Sequence, residues 1–252
     1  MVRVLHIFHN MGNGGIEHFV MDFYRHIDRN KVQFDFLTSV DEKGYFDDEI
    51  QKLGGKLYRA YPLKKNPIKN YLDIMRIVKE NKYNIVHRHT GSAFGYYDLR
   101  AARRGDAKHS HNPQVGKPIL HFISEKLLKI DCIPVACSKE AGEFLFGKKT
   151  KVKIINNAID CDKYEYNADV RKQVREELGV VDSFIVGHIG RFEEQKNHKK
   201  LLDIFSEILK IKPNSKLICV GSGKLMEERK IQAKELGILD RILFLGNRDD
   251  VE

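Results

Sequence analysis

The chain has 252 residues, of which 42% are hydrophobic and 31% are charged, and its formal net charge is +9. This length allows two domains with buried cores, and the composition is that of a globular protein rather than a disordered or fibrous one. The positive charge predicts acidic partners, among which nucleic acid, anionic lipid and phosphorylated small molecules remain open.

Patterns of strands and helices alternate from the first residues onward. Short apolar runs predict strands at 2–8, 32–37, 56–60, 84–88, 107–110, 132–137 and 152–155. Amphipathic segments predict helices at 16–27, 45–53, 68–78, 94–103 and 119–128, and one more from the N-cap residue Ser138 to Gly147. The alternation predicts βαβ crossovers and a parallel sheet that is covered by helices on both faces.

A polar, aperiodic segment at 156–166 is the best candidate for a linker, because the pattern restarts after it. Further helices are predicted at 170–178, 197–210 and 225–236, and further strands at 184–189, 216–220 and 241–245. We therefore predict two domains, 1–160 and 161–252. A sheet of only three parallel strands has an uncovered flank, so the chain is expected to be a fragment or a natural truncation.

The four cysteines are spread along the chain without a C-x-x-C pair: Cys132, Cys137, Cys161 and Cys219. They are expected to be reduced, mostly buried thiols of a cytosolic protein. The apolar start at 2–8 is too short and too polar for a signal peptide. No apolar run approaches the roughly 18 residues that a membrane span requires. We therefore expect a cytoplasmic protein, at most peripheral at the inner face of a membrane.

The most informative stretch is 184–202. Its apolar run reads as a strand that is buried on both faces, and this strand breaks at Gly190 into a polar loop that contains Arg191 and Lys196. A new helix is predicted to begin near Asn197. A helix N-terminus presents free backbone N–H groups to an anion, and an arginine with a lysine beside it suits a diphosphate. The alternative is a solvated loop with two surface cations.

A second glycine-rich turn, HNMGNGG, follows the first predicted strand. It does not satisfy G-x-G-x-x-G, because Glu17 stands where the third glycine belongs, and this disfavours a nicotinamide-dependent dehydrogenase. Gly14 and Gly15 would let a ligand approach the backbone closely. The alternative is a turn that requires glycine because φ is positive.

Two further patterns argue against a nucleoside triphosphatase and against a nucleic-acid-binding protein. The segment VGSGKL at 220–225 lacks the first glycine of a P-loop, and Leu225 stands where a Ser or Thr should follow the lysine. Four lysines near the end of the first domain alternate with strand residues rather than with aromatic platforms: Lys148, Lys149, Lys151 and Lys153. A solvated face is predicted there, with a weak membrane-surface patch as the functional alternative.

Histidines gather at two predicted strand ends, His87 with His89 and His109 with His111. The carboxyl ends of parallel strands face the ligand crevice, so these side chains could contact substrate hydroxyls. Satisfied structural histidines are the alternative. Residues i and i+2 share a face, so only one pair could easily chelate zinc, and no Cys or carboxylate ligand stands nearby. No metal is expected.

The residues Gly190, Arg191, Lys196 and Asn197 resemble the G-R-(x4)-K-(G/N) loop of the family-4 retaining glycosyltransferases. The similarity extends over the whole chain and includes KHSHN, ACSKEAGEFLFG, VKIINNAID and GNRDDV. It implies the α/β GT-B fold, in which two Rossmann-like domains face each other across a cleft. The first domain would hold the acceptor, and the second would hold a nucleotide-diphosphate sugar as donor.

The resemblance also implies roles for single residues. His111 would lie beside the transferred sugar, and Arg191 and Lys196 would neutralise charge on the leaving diphosphate, so these three are the candidate catalytic residues. The implied donor and substrate contacts are Gly14, Gly15, Glu17, His89, Gly190, Gly223 and Arg248. No cofactor besides the donor substrate is expected, and no pair of hydrolase-type carboxylates is implied.

The resemblance is to enzymes of bacterial exopolysaccharide or capsule assembly, which act on saccharide or lipid-linked acceptors. The family's E-(x7)-E segment, whose glutamates contact the donor, falls beyond residue 252, so the chain by itself is expected to be inactive. Two alternatives remain open. One is a non-catalytic protein that binds a nucleotide-sugar or a partner, and the other is an enzyme similar to nucleotide-sugar epimerases.

Overall fold

The computed structural model describes residues 1–89, 95–103, 106–110, 127, 131–248 and 250–251. The chain divides into two compact units, Met1–Asp160 and Cys161–Glu252, and each is described by itself. The candidate residue His111 and the helix predicted at 119–128 lie outside the described residues, apart from position 127. Within the described ranges, every helix is too short or too polar to cross a bilayer.

The first unit is built on a sheet of seven parallel strands in the order β3-β2-β1-β4-β5-β6-β7. The strands are β1 (Val2–Ile7), β2 (Val32–Thr38), β3 (Leu57–Arg59), β4 (Ile85–His89), β5 (Ala107–Ser110), β6 (Ile133–Ala136) and β7 (Lys153–Ile154). The helices are α1 (Gly15–His26), α2 (Asp47–Lys52), α3 (Pro67–Asn81), α4 (Gly95–Ala101) and α5 (Lys139–Phe146). The strand order reverses between β1 and β4, and such a switch point opens a crevice at the carboxyl ends of the strands.

Both faces of this sheet are packed against helices, as predicted. Successive side chains of a strand point to opposite faces, so Leu5 and Ile7 of β1 join one core cluster while Phe8 joins the other. The first cluster includes residues of α3 and α4, and the second includes residues of α1 and α2. Full burial of each such apolar side chain contributes about 1.5–3 kcal/mol.

The helix ends of the first unit carry recognisable caps. Ser138 accepts a hydrogen bond from the backbone N–H of Ala141 at 3.2 Å, which confirms the predicted N-cap of α5. Gly147, at φ +84°, ends the same helix. Asn66 caps α3 by accepting from Lys69 N at 3.0 Å. These caps satisfy backbone donors that have no partner within the helix.

The second unit has three parallel strands in the order β10-β9-β8. Its strands are β8 (Phe184–Ile189), β9 (Ser215–Val220) and β10 (Ile242–Gly246), and its helices are α6 (Ala168–Glu177), α7 (His198–Ile211) and α8 (Met226–Glu235). Leu202 and Phe205 of α7 pack in one cluster with Leu217 and Cys219 of β9. The bounds of all these elements lie within one residue of the predicted ones, apart from α6, which begins two residues before its predicted start.

The prediction that β8 is buried on both faces is wrong. Phe184 and Ile189 are 48% and 61% exposed, respectively. Within the described residues β8 pairs with β9 alone and forms an edge of the sheet. An apolar run predicts a strand from composition, but it does not distinguish a central strand from an edge strand.

All four cysteines are free thiols, in agreement with the prediction. Their burial is less uniform than expected, since Cys219 is buried, Cys132 and Cys137 are intermediate, and Cys161 is exposed. Burial raises the pKa of the Cys219 thiol to about 11, so this cysteine stays protonated and behaves as a small apolar core residue.

Candidate functional site

The loop after β8 places two cations at the carboxyl end of the second sheet. Arg191 and Lys196 are both exposed. Neither forms an ion pair or a side-chain hydrogen bond with any residue that the structure describes. The stem of Lys196 lies against Gly190, where an added Cβ would come within 3.2 Å of its Cδ. The charged ends of both side chains are therefore available to an anion.

Asn197 begins the helix that follows this loop, as predicted. It adopts the left-handed conformation, with φ +47°, and its side chain accepts from Lys200 N at 3.4 Å. A short 3-10 turn, Glu194–Lys196, precedes it. The sequence did not predict this turn, which brings Lys196 to the start of α7. The N-terminal N–H groups of a 14-residue helix carry a partial positive charge, which adds to that of the two cations.

The loop is held by backbone contacts to the glycine turn that follows β9. Phe192 N donates to Ser222 O at 2.9 Å, and Leu225 N donates to Phe192 O at 3.1 Å. Gly223 has φ +156°, and a Cβ there would lie 2.6 Å from Phe192 O. The two segments therefore approach so closely that residue 223 must be glycine.

The end of β10 lies beside the same turn. Gly221 N donates to Gly246 O at 2.6 Å, and Ser222 Oγ donates to Asn247 Oδ1 at 3.0 Å. Arg248, a predicted donor contact, forms ion pairs with Asp250 and Glu177. Its guanidinium is thus engaged by carboxylates, unlike that of Arg191. The arrangement offers an anion one lysine, one arginine and a helix N-terminus within a single unit.

Two histidines that were not predicted from the sequence pack against this loop. The His198 ring is 4% exposed and stacks on Phe192, with ring centroids 3.9 Å apart. The ring of His188 lies edge-on to the ring of His198, with centroids 4.5 Å apart. Burial, together with the neighbouring His188, lowers the pKa of His198 to about 4. His198 is therefore a neutral packing residue at neutral pH. The sequence feature that could have identified His198 is its position in the first turn of a predicted amphipathic helix.

In the first unit, the glycine turn after β1 leads directly into α1. Gly14 is the N-cap of α1, with φ −118°, and Glu17 lies in the first turn. A Cβ on Gly14 would lie 3.3 Å from Glu17 Cδ. The interpretation that these glycines provide positive φ is wrong, since Gly14 and Gly15 both lie outside that region. Gly14 instead makes room for the Glu17 carboxylate.

Four histidines lie on one face of the first sheet. In the parallel register, His6 of β1 is paired with His87 of β4, and His89 is paired with His109 of β5. The rings of His87 and His89 lie 4.3 Å apart, and His6 Nδ1 is 2.9 Å from His89 Nε2. We call these four residues the histidine cluster. Sequence reasoning found three of its members and missed His6, because strand pairing cannot be read from the chain.

The histidine cluster lines a cavity of about 180 Å³ whose other walls are apolar. These walls are formed by Phe19, Val20, Phe23, Phe34 and Ile155. Burial, together with the neighbouring His109, lowers the pKa of His6 to about 3. The predicted substrate contact His89 is thus part of a buried group, 4% exposed, rather than an isolated side chain at a strand end.

Two Rossmann-like units with glycine turns at the carboxyl ends of their strands, the second also carrying two cations there, are typical of the GT-B glycosyltransferases. Residues 13–163 match the sequence model of Glycosyltransferase Family 4, and residues 170–252 match that of the group 1 glycosyl transferases. The chain belongs to glycosyltransferase family 4. The predicted fold class and family are therefore confirmed.

Several known proteins are similar to this chain over nearly its whole length. EpsF of Bacillus subtilis is 32% identical over 99% of the chain, which spans 69% of EpsF. CapH of Staphylococcus aureus, a capsular polysaccharide biosynthesis glycosyltransferase, is 26% identical over 98% of the chain, which spans 70% of CapH. The structure of Anabaena HepE with UDP-glucose has a TM-score of 0.76 at 21% identity, covering 99% of this chain and 70% of HepE. This last likeness concerns the fold.

Proposed function

We propose that the protein transfers a sugar from a nucleotide-diphosphate sugar to a saccharide or lipid-linked acceptor, with retention of configuration, in bacterial surface polysaccharide biosynthesis. The observation that carries the proposal is the pair of unengaged cations, Arg191 and Lys196, beside the backbone-paired glycine turns of the second unit. EpsF and CapH, with their similarity over nearly the whole chain, support the reaction class.

In this proposal the diphosphate lies against the loop after β8. Arg191 provides a fork of donors, Lys196 provides a point charge, and both neutralise the charge that develops on the leaving group. His111, Gly14, Gly15, Glu17 and His89 would contact the sugar or acceptor. No metal or other cofactor is part of the proposal. The site is proposed to work at the cytoplasmic face of the membrane, where lipid-linked acceptors are presented.

Nucleotide binding tests the role of the two cations directly. Arg191→Ala with Lys196→Ala should weaken binding of nucleoside diphosphates by about 100-fold or more, because each charge-assisted hydrogen bond contributes about 1.5–3 kcal/mol. Titration calorimetry with UDP, GDP and ADP gives the dissociation constants of both proteins.

The matched control is Arg171→Ala with Lys234→Ala, which removes the same charge from exposed positions of α6 and α8 in the same unit. The control should bind as the unaltered chain does. Equal weakening in both double variants would show a general effect of charge and would contradict the proposed site.

The reaction class needs a separate assay on the 252-residue chain and on a longer version. A transferase consumes the nucleotide-sugar in step with glycosylation of an acceptor, whereas an epimerase converts it without one. We expect the 252-residue chain to be inactive and a longer version to transfer sugar. Nucleotide binding without either reaction in the longer version would favour the non-catalytic alternative.

A further inference from the structure

The proposed transfer reaction assigns a role to His89 alone among the four residues of the histidine cluster, and the arrangement of the other three rings around it has no part in that reaction. One nitrogen atom from each of His6, His87 and His89 can be chosen such that all three lie within 4.8 Å of one another. His87 and His89 are two residues apart on β4, and His6 is paired with His87 from the neighbouring strand. Two residues on one strand and a third beside them form a triangle on a rigid surface.

From this geometry we propose that His6, His87 and His89 bind one zinc ion, with the fourth coordination position open to the adjoining cavity. Three imidazoles with one open position are a ligand set of known zinc sites, as in carbonic anhydrase. Imidazole nitrogen also selects zinc and its transition-metal neighbours over magnesium and calcium, which take oxygen ligands.

One of the three present distances is close to the distance that zinc requires between its ligand atoms. Zinc–nitrogen bonds of 2.0–2.1 Å in a tetrahedron place the ligand atoms about 3.3 Å apart. His6 Nδ1 and His89 Nε2 are already 2.9 Å apart. The three ligand atoms lie within 4.8 Å of one another, so the rings must rotate to bring every pair to about 3.3 Å.

His6 provides an independent indication of a missing ligand. Its side chain is 4% exposed, and its Nε2 has no hydrogen-bond partner among the described residues. A buried polar atom without a partner costs about 1–3 kcal/mol, and native structures seldom leave one unexplained. Coordination of zinc through Nε2 would satisfy this atom directly, whereas coordination through Nδ1 would leave the Nε2–H group to a water molecule in the cavity.

The apolar walls of the cavity determine what the fourth ligand of the zinc ion can be. The three ligands are neutral as zinc ligands, so they leave the two positive charges of the ion uncompensated within apolar walls. The fourth ligand is therefore a water molecule or an anion that enters from the cavity. His109, whose ring centroid lies 5.4 Å from that of His87, is a protein group that could take its place.

Metal titration of the chelator-treated 252-residue protein tests the proposal. Zinc competition against a chromophoric chelator should give one ion per chain. His87→Ala and His89→Ala should each weaken binding by about 100-fold or more, since loss of a mere outer-shell partner already costs 10–100-fold. His18→Ala and His26→Ala, which remove exposed histidines of the same unit, should bind as the unaltered protein does.

Two further measurements keep the test decisive if a variant fails to fold. Cobalt bound to the unaltered protein should show the intense visible absorption of a tetrahedral nitrogen-ligated ion. Zinc should also raise the unfolding temperature of the unaltered protein, because it binds the folded state. Weak octahedral cobalt bands, or zinc affinity that persists in folded His87→Ala and His89→Ala, would overturn the proposal.

Discussion

Single side chains packed against the loop after β8 set how that loop responds to pH. His198 stacks on Phe192, and the titratable or charged groups nearest to it are His188, Lys196 and Arg229. All three neighbours carry or can gain positive charge, so they oppose protonation of the ring in the same direction as burial does. The loop is therefore built on an imidazole that must remain neutral.

Acidification should therefore destabilise the second unit. The pKa of His198 is about 4 in the folded state, below its unfolded value of about 6.5, so the unfolded chain binds more protons between these values. Stability is complete above pH 6.5 and is lost as the pH falls, by at most about 2 kcal/mol at pH 5. Calorimetric unfolding at pH 7 and pH 5 measures this loss.

His198→Phe keeps the ring stack and removes the titration, so its unfolding should depend less on pH over the same interval. His18→Phe, an exposed substitution in the other unit, should leave the dependence intact. An unchanged pH dependence in His198→Phe would assign the effect to other groups.

The structural roles of single residues were partly predictable from local rules. Ser138 was identified as a helix start because short polar side chains satisfy free backbone N–H groups, and this requirement is local. His6 was not identified, because its partners are 81 and 83 residues away and are brought to it by strand pairing. The alternative of a positive φ at Gly14 was wrong, since the residue adopts an extended conformation as the N-cap of α1.

At the scale of elements, the predicted alternation of strands and helices was confirmed throughout the described residues. Periodicity carries this information because each helix must turn one apolar stripe towards the sheet. The edge position of β8 was missed, because apolar content does not encode which neighbours a strand has. The contact between the turns after β8 and β9 was missed for the same reason.

The contact between these two turns predicts that alanine in place of glycine destabilises the second unit at residue 223 but not at residue 187. Gly223→Ala should destabilise the second unit by about 1–3 kcal/mol, because the left-handed backbone is strained for alanine and the new Cβ meets Phe192 O. Nucleoside diphosphate binding should weaken with it. Thermal unfolding and titration calorimetry measure the two effects.

Gly187→Ala is the control, since a Cβ at this position of β8 meets nothing within 4 Å. It should leave stability unchanged or raise it by up to about 1 kcal/mol. If Gly223→Ala were as stable as Gly187→Ala, the turns would be looser than their backbone distances indicate.

For the whole molecule, the division at residue 160 coincides with an exposed connection. Residues 161–170 are all exposed, with Tyr164 and Tyr166 at 52% and 77%. Within the described residues this is the stretch where the least core would be disturbed by a cut, and backbone that can unfold locally is the preferred substrate of proteases.

Limited digestion with chymotrypsin should therefore cut first after Tyr164 or Tyr166, giving two fragments that correspond to the two units. Mass spectrometry identifies the cleaved bonds. Tyr164→Ser with Tyr166→Ser should slow this step, whereas Tyr45→Ser, which removes an exposed tyrosine of the first unit, should not. Equal digestion rates for these variants would contradict the prediction.

The backbone contact between the turns after β8 and β9 also limits how the protein can evolve. Where two side chains clash, a second substitution in the partner restores the fit, and homologous proteins drift through such compensating pairs. At Gly223 the partner is the peptide group of Phe192, which every amino acid possesses in the same form. No exchange at residue 192 can therefore relieve a larger residue at 223, and this position of the chain has no compensatory route.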